Sequence, residues 1–108
     1  NRWTVRDGCA ASADITVHAV AAFNAVLDFT DPHSRAGPII EEFLCVDCET
    51  DPALWKQASP GLQVSEHCAP HLFLHGTADS LVPVGQSERM RDALTATGVR
   101  AEHACPRL

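Results

Sequence analysis

The segment that most restricts this chain is Pro70-His71-Leu72-Phe73-Leu74-His75-Gly76-Thr77-Ala78-Asp79-Ser80-Leu81-Val82-Pro83, followed by Gln86-Ser87. A compact apolar run enters His-Gly and a tight loop, and an aspartate stands three residues beyond the glycine. Val-Pro then turns the chain toward a helix. A short apolar run bounded by turn residues reads as a buried strand. Met90, Ala93, Leu94 and Thr97 fall on one helical face, with Glu88, Arg89, Arg91 and Asp92 elsewhere, so a helix is expected over Ser87 to Thr97. Gly98 stands where a helix C-terminus favours glycine. Val99 to Cys105 follows as another strand. Strand, loop, helix and strand in this order make a parallel βαβ unit, which puts Asp79 beyond the carboxyl end of a strand, where such sheets bind ligands.

Upstream, Ile15 to Phe23 is nearly all apolar. Ile15, Ala19, Ala22, Phe23 and Val26 also fit a helical face, but the β-branched start favours a buried strand over Ile15 to Phe23. Residues 1–14 read as loop. Asp28, Asp31-Pro32, His33-Ser34 and Gly37-Pro38 make Asn24 to Pro38 a turn-rich connection. Ile39 to Leu44 is a short amphipathic helical stretch. Asp51-Pro52 is a cap with proline at the first helical position, opening a helix through Gln57 that ends at Ser59-Pro60-Gly61. The fold class expected is α/β, a parallel sheet with crossover helices.

Composition removes several alternatives. The chain of 108 residues suffices for one small domain. With 14 acidic and 8 basic residues the net charge is −6, which opposes binding to the phosphates of a nucleic acid. No apolar run approaches the roughly 20 residues of a membrane span. Five cysteines (Cys9, Cys45, Cys48, Cys68, Cys105) are an odd number, which fits a reducing compartment such as the cytoplasm better than a stapled secreted domain. Cys45-Val46-Asp47-Cys48 has the spacing of half a zinc site, but only His67 and the adjacent Cys68 offer a second half, so no metal is expected. Glu41 and Glu42 beside it disfavour the thiolate that a redox Cys-x-x-Cys needs. The residues define no oligomeric state.

Trp55 to Pro106 resembles the C-terminal part of an α/β-hydrolase, in the esterase and acyl-hydrolase group related to feruloyl esterases and hormone-sensitive-lipase-like esterases. The resemblance rests on Ala58-Ser59-Pro60, Pro70, His75-Gly76-Thr77-Ala78-Asp79, Val82-Pro83, Gln86-Ser87, Leu94, Gly98-Val99, Glu102 and Pro106. Val17 to Asp28 resembles the strand and loop that this group places between nucleophile and acid, extending the match over roughly residues 15–106. It implies an incomplete α/β-hydrolase fold, with residues 15–108 as its C-terminal portion and residues 1–14 trailing the region after the nucleophile.

The resemblance also implies a Ser-Asp-His triad in which Asp79 is the acid that orients a histidine. None of Ser12, Ser34, Ser59, Ser65, Ser80 and Ser87 has both flanking glycines of a Gly-x-Ser-x-Gly elbow, and the matching histidine would lie just beyond Pro106. The expectation is therefore a fragment of a serine hydrolase acting on a small-molecule carboxylic ester, with Asp79 as its single triad residue, no cofactor, and no activity alone. His75 is read as structural, His103 as part of a strand, Ser59 as conformational, and Asn24 and Asp28 as turn residues that could border a pocket. A prolyl-oligopeptidase-type peptidase fragment and a non-catalytic remnant are the alternatives.

Overall fold

Alternating burial along three four-residue segments generates the sheet. In the computed structural model, which describes residues 15–105, β1 (Val20–Phe23), β2 (His71–Leu74) and β3 (Ala101–Ala104) pair in parallel in that order. Val20 stands opposite His71, and His71 opposite Ala101. Successive side chains of a strand point to opposite faces. Phe73 is therefore fully buried on one face, while Leu72 and Phe23, on the other, are exposed. The parallel α/β arrangement agrees with the sequence reading. The expected loop over residues 1–14 lies outside the described residues.

The first strand is shorter than the apolar run that suggested it. Val20 donates its N–H to Pro70 O, and pairing starts there. Pro70 has no N–H to extend the ladder, so Ile15 and Val17 remain exposed and outside the sheet.

Helix α1 (Gly37–Leu44) and helix α2 (Pro52–Ala58) fill the connection from β1 to β2, and a 3-10 turn at Pro60–Leu62 follows. Asp51 caps α2 by accepting from Leu54 N at 3.1 Å, as its position before Pro52 suggested. Gly61 lets this turn approach the loop after β1: its N–H donates to Leu27 O at 2.7 Å, and an added Cβ would meet that oxygen at 3.0 Å. Helix α3 (Gly85–Ala96) joins β2 to β3 and buries Gln86, Ser87, Met90 and Leu94. It closes with Gly98 at φ 87°, Gly98 N–H on Thr95 O and Val99 N–H on Leu94 O, the paired bonds of a Schellman cap.

Two apolar clusters hold these pieces together. Leu27, Phe73, Met90, Leu94 and Val99 pack between the sheet and α3. Ala36, Ile40, Trp55 and Val82 pack between α1, α2 and the loop after β2. Val82 belongs to the loop that bears Asp79, so its burial anchors that loop from the far side. Burying a side chain of this kind contributes about 1.5–3 kcal/mol.

Candidate functional site

Asp79 lies where the sequence placed it, in the loop leaving the carboxyl end of β2. Its N–H donates to Gly76 O at 3.3 Å, closing a turn. One carboxylate oxygen, Oδ1, accepts from Leu81 N at 2.9 Å and Val82 N at 3.0 Å. The other, Oδ2, is 3.5 Å from His75 Nε2. The Val82 amide is the main influence holding the Asp79 carboxyl below its usual range; the Leu81 amide and His75 add to it, against the opposing effect of burial. Asp79 is thus a fixed carboxylate, with its side chain 19% exposed.

His75 directly follows β2, and its position explains its bonding. Its ring Nε2 is 2.9 Å from Val82 O, and its Nδ1 is 2.7 Å from Ser87 Oγ. A carbonyl oxygen can only accept, so Nε2 carries the proton and also faces Asp79. In the neutral ring Nδ1 then accepts, and the Ser87 hydroxyl donates to it. A serine hydroxyl bonded to an imidazole whose other nitrogen faces a carboxylate is the bonding order of a Ser-His-Asp triad. His75 and Ser87 are each 1% exposed.

This geometry corrects two expectations. Asp79 is not the single triad-type residue of the chain, because Ser87 and His75 complete a Ser-His-Asp group around it. The expected inactivity of the chain alone loses its basis for the same reason. The histidine facing Asp79 is His75, twelve residues before Ser87. One sequence signal was available: Gly85-Gln86-Ser87 is the first half of a Gly-x-Ser-x-Gly pattern, with Arg89 in place of the second glycine. The other half of the signal is spatial, since only the βαβ turn brings the first turn of α3 against the end of β2.

The remaining candidates form the surroundings. Ser59 is buried, accepts from Phe29 N at 2.8 Å and donates to Trp55 O at 2.8 Å, which ties the end of α2 to the loop after β1. Asp28 Oδ1 accepts from Thr30 N and Thr30 Oγ1, an Asx-type turn. Asn24 is bound across the sheet, its Oδ1 accepting from Gly76 N at 2.8 Å. Sequence reading missed Gln86. Buried in the first turn of α3, it accepts from Leu27 N and Asp28 N through Oε1 and donates to Asp31 Oδ2. Arg89 reaches the same Asp31 oxygen at 3.1 Å.

His103 stands in β3, with Nδ1 3.1 Å from Cys105 Sγ. Cys45 caps the C-terminus of α1 at φ 60° and is a free thiol, as are Cys48, Cys68 and Cys105. Among the described residues no group of three or more His, Cys, Asp or Glu could hold a metal ion, and no helix is long and apolar enough to cross a membrane.

A parallel sheet with its acid loop, histidine and serine at the carboxyl end defines an α/β-hydrolase-type domain. The chain matches the BD-FAE family over residues 4–94 and belongs to it. It is similar to esterase LipQ of Mycobacterium tuberculosis (strain ATCC 25618 / H37Rv), with 37% identity over 99 residues covering 84% of this chain and 24% of LipQ. LipM of the same organism is 34% identical over 87 residues, covering 76% of this chain and 20% of LipM. The chain thus spans a quarter or less of the length of these curated relatives. A solved truncated form of a carbohydrate esterase from gut microbiota shares the fold, with a TM-score of 0.70 and 24% identity, covering 82% of this chain and 33% of that one.

Proposed function

We propose that this chain belongs to the machinery of a serine hydrolase cleaving small-molecule carboxylic esters, with Ser87, His75 and Asp79 as its reactive group. The observation that carries the reading is the 2.7 Å bond from the Ser87 hydroxyl to His75 Nδ1, with Asp79 behind the opposite ring nitrogen. In the reaction, Ser87 Oγ attacks the acyl carbonyl as His75 Nδ1 takes its proton, and Asp79 stabilises the imidazolium. The proton passes to the leaving alcohol, and water then releases the acid from the acyl-enzyme. Esterase LipQ, similar over most of this chain, supports the ester as substrate class.

A second reading has its own observation, the burial of both His75 and Ser87. A hydroxyl so enclosed can lock the acid loop, leaving the more accessible Asp79 carboxylate as the group that works at the surface of the site.

One experiment separates the two. A fluorophosphonate, which phosphonylates activated serines with loss of fluoride, is incubated with the chain, and the adduct is mapped by peptide mass spectrometry. The nucleophile reading requires the adduct on Ser87 and its loss, with loss of p-nitrophenyl ester turnover, in Ser87→Ala. Turnover that survives in Ser87→Ala would establish the locking reading and remove Ser87 as nucleophile.

A further inference from the structure

Asn24 is the residue immediately after β1, and its backbone has φ 47°, in the left-handed region that costs most side chains energy. Asparagine tolerates this region, and glycine does so more freely. The side chain here does more than permit a turn. Asn24 N–H extends the β1–β2 ladder by donating to Leu74 O at 2.7 Å. Its Oδ1 accepts from the N–H of Gly76, a buried residue, at 2.8 Å. Gly76 begins the acid loop, and its own carbonyl receives Asp79 N–H. A single side chain therefore crosses from one strand end to the neighbouring loop at the turn that aims the carboxylate. The far side of that loop is held by Val82 in the second apolar cluster. The Asn24 side is the only one of these two anchors made by hydrogen bonding between strand ends.

We propose that Asn24 is a positioning residue that fixes the acid loop through Gly76, setting where the Asp79 carboxylate stands relative to His75. The proposal rests on the reading of Asp79 as the acid of the reactive group. Glycine at this position would satisfy the backbone but leave the Gly76 N–H without its acceptor. Aspartate would keep both the tolerance of positive φ and the acceptor oxygen.

The test compares Asn24→Gly and Asn24→Asp in isotope-labelled protein, reading Gly76 amide exchange and the titration of the Asp79 carboxyl carbon by NMR. Asn24→Gly is expected to speed Gly76 exchange roughly fivefold or more, the value of one hydrogen bond. It is also expected to move the Asp79 midpoint up toward an ordinary carboxylate. Asn24→Asp is expected to retain the slow Gly76 exchange. Unchanged exchange and an unchanged Asp79 midpoint in folded Asn24→Gly would overturn the proposal. So would fast Gly76 exchange in Asn24→Asp, which decides the matter by itself where Asn24→Gly does not fold. Neither readout uses ester turnover, so failure of the wild-type chain to label or turn over counts against the esterase reading alone.

Discussion

Two polar knots meet at the first turn of α3, and consecutive residues feed them. Ser87 enters the knot of His75, Asp79 and the Val82 carbonyl, which lies under the acid loop. Gln86 enters the knot of Leu27 N, Asp28 N and Asp31, which pins the loop after β1. The first is sealed: its imidazole and hydroxyl are each 1% exposed and bonded to one another. The second is open on one side, where the Asp31 carboxylate, 5% exposed, meets an Arg89 side chain that is 59% exposed. A buried hydrogen bond resists salt but is costly to orphan, whereas an exposed ion pair is screened and contributes little. One helical turn thus secures two loops by different physics.

The contrast is most severely tested at Gln86. Gln86→Leu strands two amide donors and removes a donor from Asp31, and an expected loss of about 3 kcal/mol would appear in urea unfolding. A loss below that of a surface substitution would mean that water replaces Gln86 and that the second knot is not structural. Ser87→Ala removes one donor from a buried ring nitrogen, and the expected cost is smaller, about 1–2 kcal/mol, with no dependence on salt.

Acid distinguishes the knots by their carboxylates. Asp79 is held low chiefly by the Val82 amide. At Asp31, burial alone would raise the value, but bonds from His33 N, Gln86 and Arg89 outweigh it and leave the carboxyl lowered. A lowered folded value means the stabilisation is complete above the ordinary 3.8 and disappears as pH falls through the folded values. Thermal unfolding followed into acid should therefore steepen below that point, and Asp79→Asn and Asp31→Asn should each flatten part of the limb. An acid limb unchanged by both substitutions would show that neither carboxylate is held by its knot. The smallest effect belongs to Arg89→Ala, expected within about 0.5 kcal/mol and shrinking further as salt is added. A larger, salt-independent loss would make the second knot as sealed as the first.

Legibility from sequence followed the range of the contacts. The Asp51 cap, Gly98 and the strand-loop-helix around Asp79 depend on neighbours a few residues away, and periodicity and turn chemistry exposed them. The start of β1 was overextended because Ile15 and Val17 are as apolar as a paired strand, while the limit is set by Pro70, far along the chain. The place of Asp79 in the loop after a strand was legible from the apolar run and turn residues around it. Its partners were not, because Ser87 meets His75 only through the βαβ turn, and Gln86 meets Leu27 and Asp28 only after both loops are folded.

The register of the sheet also carries a history of assembly. His71 pairs with Ala101 across one helix, but Val20 pairs with His71 across two helices and a 3-10 turn. Closing a longer loop costs more chain entropy before any contact repays it, and non-local pairing is correspondingly slow. The β2–α3–β3 unit, with both His75 and Ser87 inside it, is thus expected to gain protection before β1 docks. Pulsed hydrogen exchange would contradict this if the Ala22 amide were protected ahead of Phe73. In the expected order, the serine and histidine find each other while β1, with Asn24 at its end, is still searching for its place.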